Sequence, residues 1–222
     1  MRVTSVKIKD KGLYILGMIH RDRENGKLTD LWLDRIKPHV VTLEFSQYGL
    51  KFRKEKGHIY RKRIESVAMD MRQKKEALDE ESLAFLCAYV DLPSEYESSV
   101  RYCRDRPALL YLLDMDLFSY LKLRSVEELL NVKNIRKVLE AREAPTGSAE
   151  RALARLYFDT GVQTAPYTDE MLIRDKYMSR RLQILMRHHQ GKRFVHITGW
   201  RHLKDPDNLF ACLGPTKVFP YD

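Results

Sequence analysis

Apolar residues gather in four short runs, and each run ends in a polar side chain. LYILGMI (13–19) is continuous and β-rich, and VVTLEFS (40–46), ALLYLLDMD (108–116) and RFVHITGWRHL (193–203) repeat the pattern. Between the first two runs, TDLWLDRIK carries Leu31 and Ile36 at helical spacing, with Thr29 or Asp30 as N-cap. Pro38 closes that helix, because its ring forbids continuation. Strand, helix and strand this close together predict a βαβ unit with parallel strands.

The intervening chain has helical period. IYRKRIESVAMDMRQKKEAL places Ile64, Val67 and Met71 on one stripe, and DEESLAFLCAYV opens with acids where a helix dipole favours them. PSEYESSVRYCRDR starts a helix at Pro93 and Ser94. SVEELLNVKNIRKVLEA predicts one helix, capped by Ser125 with Glu128 completing a capping box. REAPTGSAE (142–150) is the most linker-like stretch. From Thr168, a long helix puts Met171, Met178, Leu182 and Leu185 on one face and ends near Gly191; DPDNLFACLG predicts a last short helix. The expected class is α/β: a mainly parallel sheet packed by helices, one domain over 1–222 with a helical insert at about 50–107.

Composition narrows this picture. The 222 residues are 44% apolar and 32% charged, which suits a globular chain with a sizeable core. No run of 18 apolar residues could span a bilayer. MRVTSVKIKDKGLY has no apolar h-region, so no secretory signal is expected. Cys87, Cys103 and Cys212 lie far apart with no CxxC pair, which suits small core positions in a reducing cytoplasm. The formal charge is +9, and 51–75 holds ten Lys/Arg against three acids. That block could attract a polyanion, but with only Phe52 and Tyr60 as aromatics it reads as a solvated helical face, so nucleic acid is not the expected partner.

The run ends carry the candidate chemistry. The first ends LGMIH, Gly17 to His20; the second holds Glu44; the third ends in Asp114 and Asp116; the fourth ends TGWRH, with Gly199, Trp200, Arg201 and His202. In open α/β sheets ligands bind beyond the carboxyl ends of the strands. A carboxylate in an apolar run needs a cation, a metal or a proton. Arg174 shares the helical line of Met171 and Met178, so it faces inward and needs a carboxylate such as Glu44 or a strand-end aspartate. His196, on the face opposite Val195 and Ile197, is a supporting candidate.

Two G-x-x-H motifs, the Glu of KPHVVTLEFS and the helix IRDKYMSRRL resemble the TraB/TIKI superfamily (TraB, TIKI and GumN proteins), which includes relatives of erythromycin esterase and of the haem-binding lipoprotein ChaN. The resemblance covers roughly 13–48 and 170–214, with a weaker match at LLYLLDMDLFSYLKL. It implies a metal-dependent hydrolase or peptidase centred on His20, Glu44 and His202, with Arg174 as the helix arginine and Asp114 as the central-strand aspartate. The middle segment, 49–107, matches nothing in it, and LDMD lacks the usual glycine before Asp.

On this reading His20 and His202 hold a divalent ion, Zn, Mn or Co, and Glu44 is a third ligand or the general base. Arg174 orients Glu44 or stabilises negative charge on a small-molecule or peptide substrate. Metal-free hydrolysis by His20 with Glu44 is the variant within the same class. The alternatives are a haem or small-ligand binding protein relying on His20 or His202, and polyanion binding through 51–75.

Overall fold

The computed structural model describes residues 8–9, 12–140, 147–160 and 166–221. In chain order it runs β1 (Gly12–Met18), α1 (Asn25–Ile36), β2 (Val40–Leu43) and α2 (Gln47–Phe52), which passes through a π-helical turn (Arg53–Gly57) into α3 (His58–Gln73). Then come α4 (Glu80–Val90), α5 (Ser94–Asp105), β3 (Leu109–Leu112), α6 (Asp116–Leu123), α7 (Val126–Leu129), α8 (Val132–Glu140), α9 (Gly147–Thr160) and α10 (Asp169–His188). The chain ends with β4 (Arg193–Gly199), two 3-10 turns (Trp200–Lys204, Ala211–Leu213) and β5 (Thr216–Val218).

The fold class is α/β, with a five-stranded, all-parallel sheet in the order β3-β2-β4-β1-β5. β4, nearly the last strand in sequence, lies between the first two. Met18 is opposite Gly199 and Leu43 is opposite Ile197, so three carboxyl ends lie side by side. The ladder continues one step beyond β2, where the Glu44 N–H donates to Ile197 O at 2.8 Å.

Two compact units divide the chain. The sheet unit comprises 1–45, 94–115 and 150–222; the helical unit comprises 46–93 and 116–149. The helical portion therefore differs from the insert expected at 50–107: α5 and β3 go with the sheet, and α6, α7 and α8 join the helical unit. One face of the sheet buries Leu13, Ile15, Val40 and Phe194 against Met178 and Leu182 of α10. The helical unit has its own core, including Ile64, Val67 and Met71 of α3, Leu86 and Val90 of α4, and Ile135 and Leu139 of α8.

Local chemistry explains where elements depart from expectation. α1 begins at Asn25, not at Thr29 or Asp30, because Asp22 accepts the Glu24 N–H at 2.8 Å and starts the turn earlier. The single helix expected from Ser125 is broken in two. Asn131 supplies a cap inside it, accepting the Asn134 N–H at 2.9 Å, while Ser125 makes no side-chain cap bond. DPDNLFACLG forms only a 3-10 turn, with Asp205 accepting the Leu209, Phe210 and Ala211 N–H groups. The fourth strand stops at Gly199, and β5, at three residues, is too short for alternation to reveal. Residues 142–146 of the linker-like stretch lie outside the described residues; α9 starts at Gly147. Cys87 is buried as expected, but Cys212 is exposed.

Much of the basic block is paired within its own unit. Arg61 bonds Glu65 at 2.9 Å, Arg63 meets Glu127 at 2.7 Å, Arg72 meets Glu80 at 2.7 Å and Lys74 meets Asp70 at 3.0 Å. Among the described residues no helix is long and apolar enough to cross a membrane.

Candidate functional site

Thr42, Glu44, His196 and Thr198 lie on the sheet face that α10 covers, as alternation from Val40 and Phe194 requires. Glu44, one residue beyond β2, is at their centre, with its side chain only 3% exposed. Its Oε2 accepts the Thr198 hydroxyl and the Gly199 N–H, both at 2.6 Å. Its Oε1 accepts Arg174 Nη2 and lies 3.1 Å from His202 Nε2. Those four donors fill the acceptor positions of a carboxylate. Burial raises the Glu44 pKa, but His202 and Arg174 outweigh it and hold the group well below the ordinary carboxylate value.

Arg174 comes from the first turns of α10, where Thr168 caps the helix by accepting the Met171 N–H. Its guanidinium forks onto Asp114, Nε to Oδ1 at 3.0 Å and Nη2 to Oδ2 at 2.8 Å. Asp114 is in place because β3 runs parallel to β2 and its N–H continues the ladder to Phe45 O at 3.2 Å. Nη1 is 3.7 Å from Glu170, beyond hydrogen-bond reach.

His202, in the turn after β4, donates through Nδ1 to Asp175, whose other oxygen accepts the Tyr167 hydroxyl. Burial opposes charge on this ring, but Glu44 and Asp175 on its two sides raise its pKa from 6.5 to about 10. It is an imidazolium clamped between carboxylates. Asp175 is fully buried, yet it drew no role from the sequence. The signal was present: Asp175 is four residues after Met171 and three before Met178, on the same inward stripe.

Beneath this network, His196 is fully buried and pairs through Nδ1 with the Thr42 hydroxyl at 3.0 Å. Its Nε2 has no hydrogen-bond partner among the described residues. Burial lowers its pKa to about 4, so it is neutral.

His20 is the exposed member. Its Nε2 occupies the space over Gly199, only 2.4 Å from where a Cβ there would lie. A side chain at 199 would have to displace that ring, which lies close enough to Glu44 to contribute to its lowered pKa. Gly17 plays the matching role on β1, since a Cβ there would meet Leu203 Cδ1 at 2.4 Å.

Three expected residues are elsewhere. Asp116 opens α6 in the helical unit, where it accepts the Tyr48 N–H at 2.7 Å; it caps a turn and does not join Asp114. Trp200 is fully buried, with Nε1 donating to Glu150 at 3.1 Å, and Arg201 meets the same carboxylate at 3.5 Å. Both turn toward α9 because Glu150 is their partner.

No protein-family model, curated protein or solved structure matches the chain significantly. The site must therefore be judged on its own donors.

A divalent ion held by His20, His202 and Glu44 needs a lone pair from each. Glu44 has four protein donors on its oxygens, and both nitrogens of the charged His202 ring face carboxylates. Among the described residues, no three His, Cys, Asp or Glu side chains form a group that could hold a metal. This arrangement does not fit the three-ligand centre. The His202 ring, with a carboxylate at each nitrogen, offers no lone pair to haem either.

Proposed function

We propose that the chain is a hydrolase that cleaves an ester or amide bond by metal-free general acid–base catalysis at the carboxyl edge of the sheet. The observation that carries the reading is the exposed His20 imidazole lying over Gly199, beside the buried, hydrogen-bonded Glu44–Arg174–His202 network. Charged groups buried this deeply at strand ends are costly, and functional sites are where such arrangements cluster.

In this reading His20 takes a proton from water as the oxygen attacks the carbonyl carbon, then returns it to the leaving group. Arg174 has committed Nε and Nη2 to Asp114 and Glu44, so Nη1 is the donor for the developing oxyanion. Glu44 holds Arg174 and the Gly199 backbone in place. The substrate is a small molecule or peptide, and three unpaired thiols fit a reducing, cytoplasmic setting.

The test is turnover of a panel of activated esters and aminoacyl amides by the full chain after exhaustive chelation. Wild type is expected to retain turnover, and His20→Ala to lose at least about 100-fold in kcat with its melting temperature unchanged. Turnover that requires added Zn, Mn or Co, or that survives His20→Ala intact, overturns the reading.

A further inference from the structure

Glu150 and Arg151 are consecutive residues in the first half of α9, and successive helical side chains point about 100° apart. They reach two different loops. Arg151 Nε donates to Asp22 Oδ2 at 2.6 Å, and Nη2 takes the other oxygen. The Asp22 side chain is 3% exposed and lies two residues beyond His20. Glu150 Oε1 accepts from Trp200 Nε1 at 3.1 Å, two residues before His202, and meets Arg201 Nη2 at 3.5 Å.

Each loop also has a rigid base. Asn25 Nδ2 donates to Ile19 O at 2.8 Å, and the Ile19 N–H donates to the Tyr221 hydroxyl at 2.9 Å. Arg155, one turn along α9 from Arg151, donates to Tyr221 O at 2.8 Å. On the other side, Trp200 is fully buried beside Tyr157 and Phe158 of α9. One helix thus grips the exits of both β1 and β4.

We propose that Glu150 and Arg151 form a positioning clamp that sets the His20 loop and the His202 loop against each other. Neither side chain is catalytic; each acts through the loop it holds. The distinguishing consequence is transmission: releasing one loop frees the α9 turn and loosens the other.

Hydrogen–deuterium exchange on the full-length chain reads this without any substrate, so its failure and that of the hydrolase reading are separable. In Arg151→Ala, amides of 19–24 and also of 200–204 are expected to exchange about tenfold faster, although the Arg151 guanidinium bonds Asp22 and lies over the Tyr221 ring, both outside 200–204. Arg151→Lys restores part of the protection. Arg101→Ala, which removes an exposed ion pair with Asp30, is expected to change neither loop. Asp22→Asn breaks the same contact more gently and serves if Arg151→Ala fails to fold. Faster exchange confined to 19–24, or a uniform rise across the sheet unit in both variants, overturns the clamp.

Discussion

Arg174→Met is expected to destabilise the fold by about 3–5 kcal/mol. The reason is charge balance among side chains that are 12% exposed or less. Glu44, Asp114 and Asp175 supply three carboxylates, and Arg174 and His202 supply two cations. Removing Arg174 leaves three anions facing one cation, with Asp114 stripped of both its guanidinium bonds. Glu44→Ala, by contrast, leaves two of each sign, because Arg174 keeps Asp114 and His202 keeps Asp175. Its cost lies in the donors it orphans, the Thr198 hydroxyl, the Gly199 N–H and His202 Nε2, about 1–3 kcal/mol for each one left without a partner. Urea unfolding should show that loss for Arg174→Met, and adding Asp114→Asn should recover stability by removing the stranded charge. A loss below about 1 kcal/mol for Arg174→Met contradicts the network.

Stability should peak near pH 6.5, because two buried histidines are shifted in opposite directions. His202 is raised from 6.5 to about 10, so its contribution is complete below 6.5 and is lost as pH climbs through 10. His196 is lowered to about 4. Its folded form prefers to be neutral, so its contribution is complete above 6.5 and declines as pH falls toward 4. Glu44, held low, adds stability above 4.5 that is lost on further acidification. Each histidine limb can approach about 1.4 kcal/mol per pH unit. Burial also raises Cys87, and Cys103 to about 11, but both thiols begin to matter only near their ordinary value of 9, leaving most of the 6.5–9 window to His202. Denaturant midpoints across pH 4–9 check this. In Asp175→Asn the alkaline limb should flatten, since one of the two carboxylates raising His202 is gone. A profile level from 6.5 to 9 in wild type contradicts the clamped imidazolium.

How much of this could be read from the sequence depends on how local the cause is. Strand ends were readable, because an apolar run that stops at Glu44 or at LGMIH marks both an element and its chemistry. The inward face of α10 was readable too, from the period of Met171, Met178 and Leu182. Sheet order was not: β4 enters between β1 and β2, and nothing near 193–199 specifies its neighbours. That order is what carries His202 to Glu44. Roles set by partners distant in sequence were hidden for the same reason. Trp200 and Arg201 turn to Glu150 about 50 residues earlier. Asp175 finds His202 27 residues later. The break at Asn131 was local but competed with a strong helical period, and one side-chain cap decided it.

The family resemblance and the site meet at Glu44. The resemblance implies a metal ligand or a free base there, whereas the structure surrounds that carboxylate with Arg174, His202, Thr198 and Gly199. The two differ in one observable, the proton on the ring facing it. Nitrogen-15 NMR of the His202 ring at pH 8 measures it. Both ring nitrogens are expected to be protonated, with the signal unchanged on adding Zn, Mn or Co. A neutral ring that titrates near 6.5, or one that shifts on binding a metal, would contradict it.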